Sequence, residues 1–149
     1  MKKIVFCLFS FIIFIAAGNS STHACSCLAP ETDDLRILVK KDYKDSTAVF
    51  SGEVIEITKD KTAMRLRVKF RRDKSWKGGV PAEFTITTAD NSAMCGYNFE
   101  LGKKYLVYAR GEKSALRAEL CTRTAPLASN EDTKILDKLN KRKTKFSPK

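Results

Sequence analysis

Cysteine placement constrains this chain more than any other feature. Cys25 and Cys27 stand two apart near the N-terminus, while Cys95 and Cys121 lie far along the chain. The fifth cysteine, Cys7, falls in a separate leader. Lys2 and Lys3 form a positive start, Ile4 to Ala17 an apolar run, and Gly18 to Ala24 a small, polar stretch. That order predicts a secretory signal peptide over residues 1–24, cut between Ala24 and Cys25. The apolar run is shorter than the roughly 20 residues that span a bilayer. Ala17 and Gly18 offer a competing cut. Acylation of Cys25 would want an aliphatic and a small residue just ahead of it, where Thr22 and His23 stand. An exported chain with four remaining cysteines predicts disulfides rather than free thiols. A Cys25–Cys27 ring would strain the bridge geometry. The two other pairings stay open, and both tie the N-terminal segment to the later half of the domain. Each closes a loop long enough to contribute about 4 kcal/mol. A four-thiolate zinc site competes. Its usual two to four residues within a pair match neither C-x-C nor two cysteines 26 apart.

Histidine is informative by its position. The only one, His23, lies in the leader, so the mature domain has no imidazole. Ser-His-Asp and Cys-His catalysis and histidine-ligated metal are thereby excluded. The carboxylates are scattered among basic neighbours and form no convincing catalytic pair. A non-enzyme without a cofactor of its own is expected. Of the 28 Lys and Arg, Lys2 and Lys3 leave with the leader, so 26 remain against 17 Asp and Glu, a net +9. That charge suits solubility and admits weak polyanion binding. A single-strand-binding barrel would present outward aromatics among its arginines, and none alternate outward here, so no specific nucleic-acid partner is expected.

Thr32 to Tyr43 predicts a helix, capped by Thr32 or Asp33, with Leu35, Leu38 and Val39 on one side. Ser46 to Thr58 predicts a strand, with Ala48, Phe50, Gly52 and Val54 on one face. Gly52 permits bending or close backbone approach. Ala63 to Arg72 alternates most cleanly: Met64, Leu66, Val68 and Phe70 against Arg65, Arg67, Lys69 and Arg71. Lys77 to Pro81 reads as a turn, with Trp76 an aromatic cover beside it. Phe84–Thr88, Lys104–Ala109 and Ala115–Cys121 complete five strands, the last with Leu116, Ala118 and Leu120 alternating. Ser129 to Asp132 starts a C-terminal helix, with acids near its positive end. Lys141 to Lys149 reads as a loose basic tail. No helix separates the strands, which argues against a parallel sheet. The expected fold is mainly β: a five-stranded Greek-key barrel of the oligonucleotide/oligosaccharide-binding type, with flanking N- and C-terminal helices. It occupies residues 25–140 as one domain, and a monomer is expected.

Several of these residues carry a resemblance. Cys25-Ser26-Cys27-Leu28-Ala29-Pro30 resembles the mature start of the tissue inhibitors of metalloproteinases. Ser92-Ala93-Met94-Cys95-Gly96-Tyr97 resembles their C-G-Y segment, and Cys121 to Pro126 their later cysteine with its run to proline. Lys74-Ser75-Trp76-Lys77-Gly78 resembles the K-x-(aromatic)-K-G turn of netrin-like domains. Spacings agree too: 70 residues from Cys25 to Cys95, and 94 from Cys27 to Cys121. The resemblance implies the pairing Cys25–Cys95 and Cys27–Cys121. It further implies a secreted inhibitor of zinc metalloproteinases, extracellular or periplasmic. The Cys25 α-amine and carbonyl would chelate the target's zinc, Ser26 would enter the adjacent pocket, and Cys27, Leu28 and Ala29 would follow the cleft. Ser92, Ala93, Met94 and Cys95 would lie beside them. An α-amine with pKa near 8 has a neutral fraction that zinc would favour. The alternative is a netrin-like binding module without inhibition, for which the bridges only stop a terminus from fraying. Four features depart from the family: one fewer bridge in this domain, no second disulfide-rich domain, a short loop near Lys59 to Thr62, and Ser92 and Ala93 in place of the residues most members carry before the C-G-Y cysteine.

Overall fold

The computed structural model describes residues 25–145. The leader expected over residues 1–24 lies outside them. The elements run α1 (Leu35–Asp45), β1 (Ala48–Asp60), β2 (Arg65–Lys77), β3 (Glu83–Ala89), β4 (Lys104–Ala109), β5 (Ala125–Pro126) and α2 (Asp132–Lys145). Short 3-10 turns occupy Ser92–Met94 and Leu127–Ser129. All pairings are antiparallel, in the order β3-β2-β1-β4-β5. Among the described residues the fold is mainly β, with five strands in one barrel-like sheet and a flanking helix before and after it, the class the sequence predicts.

Alternation explains the long hairpin. Val68 and Phe70 on β2 face inward, and Arg65, Arg67 and Arg71 face water. Three register shifts along β1 coil the sheet, because a bulge adds twist and bend. Gly52 sits at one of them, where a Cβ would lie 2.7 Å from the Arg71 carbonyl oxygen. The curled face encloses one core, including Phe50, Val54, Phe70, Ile86, Phe99, Tyr105 and Val107. Phe70 meets Phe50 and Phe99 edge-on, with centroids 5.4 and 5.3 Å away.

A second core lies on the opposite face. Val49, Trp76, Leu106 and Tyr108 pack there with Val39 and Tyr43 of α1 and Leu136 of α2. Residues 48–52 of β1 are therefore buried on both faces, not on one as their alternation suggests. Trp76 is buried near the end of β2 and donates from Nε1 to Asp137 at 2.6 Å. Lys77 caps the C-terminus of α1, donating to the carbonyls of Tyr43, Lys44 and Ser46.

Several boundaries differ from expectation, and β2, expected over Ala63–Arg72, continues to Lys77 because its pairing with β1 persists from Phe70 through Lys77. Asp34, rather than Thr32 or Asp33, caps α1 by accepting the Arg36 N–H at 2.8 Å. The first half of the predicted Lys141–Lys149 tail is helical through Lys145, since Lys and Arg are good helix formers and no proline intervenes before Pro148. The predicted Ala115–Cys121 strand forms no ladder, and β5 is the two residues Ala125–Pro126. Instead Arg117 bridges Thr87 of β3 in parallel and Arg110 beyond β4 in antiparallel fashion, closing the curl of the sheet. Leu116 and Ala118 are buried as expected, but Leu120 turns outward. Its N–H is taken by the Cys95 carbonyl and Cys121 by its disulfide, so the chain leaves the sheet there.

Candidate functional site

The site begins with a stretch that has no regular structure. Residues 26–30 are exposed, and Leu28 is 96% exposed. Two disulfides hold this stretch to the domain: Cys25–Cys95 and Cys27–Cys121, with Cα separations of 5.1 and 5.2 Å. Of the two pairings open from the cysteine count, the structure has the one the resemblance implies. Cys25 is also held by its backbone, its N–H donating to the Ala93 carbonyl at 3.0 Å. Tethered in this way at Cys25, the exposed residues 26–29 and the Ser92–Cys95 segment make up one ridge.

The second half of the ridge is shaped locally. The Asn91 side chain accepts the Met94 N–H at 3.0 Å and caps the Ser92–Met94 turn. Cys95 then takes a left-handed conformation, φ 61°, and returns its N–H to Ser92. Gly96 follows, its N–H bonded to the Asn91 carbonyl. A Cβ on Gly96 would collide with the Ala89 carbonyl, so only glycine fits there. This explains the C-G part of the C-G-Y segment as backbone packing. Met94 remains 49% exposed.

Two further segments reach the ridge that sequence reasoning did not place there. Leu120, expected in the core, is 40% exposed between the Cys95 carbonyl and the Cys27–Cys121 bridge. The β1–β2 hairpin tip is fastened just ahead of the ridge: Lys59 pairs with Asp90 at 3.0 Å, and the Asp90 N–H donates to the Met64 carbonyl. The ammonium of Lys59 holds the Asp90 carboxyl below its ordinary pKa. Met64 stands half-exposed there at φ 49°. The short turn is thereby tied, through Asp90, to the chain entering the Ser92–Met94 turn.

All four domain sulfurs are consumed in bridges. The competing four-thiolate zinc reading is corrected on that ground, because a bridged sulfur is not a thiolate ligand. The sulfurs are nonetheless clustered: Cys25 Sγ lies 3.7 Å from Cys121 Sγ, and those of Cys25, Cys27 and Cys121 fall within 4.8 Å of one another.

Behind Cys121 lies a buried polar network. Asp132, 1% exposed, accepts from Arg123 Nε and Nη2, both at 2.7 Å, and from the Tyr108 hydroxyl at 2.9 Å. The Arg123 N–H donates to Asp42 at 3.0 Å, and Arg110 approaches Asp42 at 3.6 Å. Asp132 raises the Arg123 pKa by hydrogen bonding, while burial and Asp132 push the Tyr108 phenol up. Burial raises Asp42 against the pull of Arg123 and Arg110. The network fixes residues 122–124, and with them the anchor of Cys27. The basic face of β2 is a solvated, ion-paired surface, as expected: Lys69 meets Glu83 at 3.0 Å and Arg71 meets Glu53 at 3.7 Å. Among the described residues no helix is long and apolar enough to cross a membrane. Comparison of the chain with family models gives no match, and comparison with curated proteins gives none.

Proposed function

We propose that the chain, freed of residues 1–24, is a secreted inhibitor of zinc metalloendopeptidases and a relative of the tissue inhibitors of metalloproteinases. One observation carries the reading: Cys25 N donates to the Ala93 carbonyl within a ridge anchored by two bridges, and residues 26–29 stand exposed beside it. After cleavage that nitrogen is an α-amine. One N–H keeps the Ala93 carbonyl, and the neutral amine still has a lone pair to offer. A catalytic zinc holds three protein ligands and keeps one position for water. The Cys25 amine and carbonyl together form a five-membered chelate that takes that position. Ser26 enters the neighbouring pocket, and its hydroxyl meets the protease's general-base carboxylate. Leu28 and Ala29 run along the cleft, with Ser92, Ala93 and Met94 beside them. The bridges supply the affinity indirectly, since a terminus ordered before binding loses less entropy on binding.

Two steps test the reading. N-terminal mass spectrometry of the exported protein should give a start at Cys25 with a free amine; a start at Gly18 or Asn19, or an acylated Cys25, removes the chelating group. Placing one alanine before Cys25 should then abolish inhibition across a panel of zinc endopeptidases. Inhibition that survives the extension refutes the chelation mechanism.

A further inference from the structure

The two bridges touch through their sulfurs. Cys25 Sγ and Cys121 Sγ touch at 3.7 Å although they belong to different disulfides, so neither carries a proton and the contact is not a hydrogen bond. Cys27 and Cys121 are exposed, and Cys25 and Cys95 are half-buried. Thiol–disulfide exchange requires a thiolate to reach a bridged sulfur, and access decides which bridge is attacked first. We propose that the Cys27–Cys121 bridge is a covalent modification site for an external low-molecular-weight thiol, and that the thiolate it releases is relayed to Cys25, moving Cys25 from Cys95 to Cys121.

Each step breaks one S–S bond and forms one. The external thiolate attacks Cys27 Sγ, making a mixed disulfide at Cys27 and expelling the Cys121 thiolate. That thiolate attacks Cys25 Sγ, its neighbour across the 3.7 Å contact, and expels the Cys95 thiolate. The Cys95 thiolate attacks the mixed disulfide at Cys27, forms Cys27–Cys95 and returns the external thiolate. No net oxidation or reduction occurs, and the thiol is a catalyst. The product is the other cross-linked pairing that the cysteine count alone leaves open. Because the attack on Cys25 is intramolecular, it outruns direct attack by dilute external thiol on the half-buried Cys25–Cys95 bridge.

The consequence rests on the inhibitor reading: with Cys25 no longer tied to Cys95, its nitrogen loses the covalent anchor that holds it at Ala93. Exchange would then switch the ridge off without unfolding the domain.

The test needs no protease, so its failure is distinct from failure of the inhibitor reading. The mature protein is incubated with reduced glutathione, quenched with iodoacetamide at intervals and mapped by mass spectrometry. Fragmentation between Cys25 and Cys27 assigns each partner. The expected order is a glutathione adduct on Cys27 first, then the Cys25–Cys121 linkage. Loss of Cys25–Cys95 should be about tenfold faster than in a Cys27→Ala, Cys121→Ala double variant. Equal rates in the two proteins, a first adduct on any cysteine other than Cys27, or an adduct on Cys27 with Cys25–Cys95 left intact would each overturn the relay. Should the double variant fail to fold, the order of adducts in the unmodified protein decides alone.

Discussion

Removing the disulfides one at a time should cost less than their spans suggest, and removing both should cost more than twice a single removal. In the chain-entropy account a bridge stabilises by shortening the unfolded chain's freedom, with a cost that grows as the logarithm of the loop. The two loops span 70 and 94 residues. Taken alone, they are worth about 4.4 and 4.7 kcal/mol. They are not alone, because each short-circuits the other. With one bridge in place, closing the second completes a ring of the 26 residues from Cys95 to Cys121 and the two from Cys25 to Cys27, 28 in all. A ring of that size is worth about 3.6 kcal/mol whichever bridge closes it. The variants Cys25→Ala, Cys95→Ala and Cys27→Ala, Cys121→Ala should therefore be destabilised equally, by about 3.6 kcal/mol each. The variant lacking both should lose about 8 kcal/mol, enough to unfold many domains of this size. Urea unfolding followed by circular dichroism measures all three, with the slope checked for change in the denatured state. Single losses that differ by more than about 1 kcal/mol, or a double loss no larger than one single, would refute the shared-ring argument.

Three other outcomes follow from the packing. Asp132→Ala leaves the Arg123 guanidinium and the Tyr108 hydroxyl without their buried acceptor and should cost about 3–5 kcal/mol, whereas Tyr108→Phe should cost only about 1 kcal/mol; urea midpoints separate them. Gly96→Ala drives a Cβ into the Ala89 carbonyl and should shift the amide resonances of residues 92–96 while leaving those of α2 in place, as a heteronuclear NMR spectrum would show. Asp137 is held below its ordinary pKa by Lys74, so its contribution is present above the unfolded carboxylate value and lost as pH falls through the lower folded value. Its half-exposed side chain limits this to less than about 1 kcal/mol, and Asp137→Asn should flatten the loss of stability between pH 5 and pH 2.

Legibility in the sequence followed the solvent. Leu66 to Arg71 could be read outright, since one face of that strand meets water and the residue pattern records it. β1 could not: the helices cover its outer face, so Val49 is as buried as Phe50 and the alternation is lost. Leu120 continued a clean apolar alternation yet faces outward, because the Cys95 carbonyl and the Cys27–Cys121 bridge, both distant in sequence, determine its path. Asp132 read as a charge at a helix start and is that, but its burial against Arg123 and Tyr108 depends on tertiary proximity with no local signal. The cysteines were the reverse case. Their count and context predicted bridges, and the arrangement of exposed residues 26–29 beside Ser92–Met94 follows from those bridges almost alone.

The K-S-W-K-G stretch shows which parts of the resemblance bear on function. Lys74 and Trp76 project to the same side of β2, and both donate to Asp137 of α2 at 2.6 Å. Lys77 projects to the end of α1 and satisfies two of its carbonyls and that of Ser46 just beyond it. Gly78, at φ 88°, has no room for a Cβ against Thr47 and Ala48. Four of these five residues thus fasten both helices to the sheet and turn the chain. A segment occupied in this way recommends the scaffold and says nothing of a target. On the inhibitor reading, residues 25–29 and 92–95, with Met64 and Leu120 nearby in the chain path, are the described residues that bear on one. It follows that an alanine placed before Cys25 should leave the unfolding midpoint unchanged while removing inhibition. A fall in stability on that extension would show instead that the terminus is part of the scaffold and that its exposure had been misread as availability.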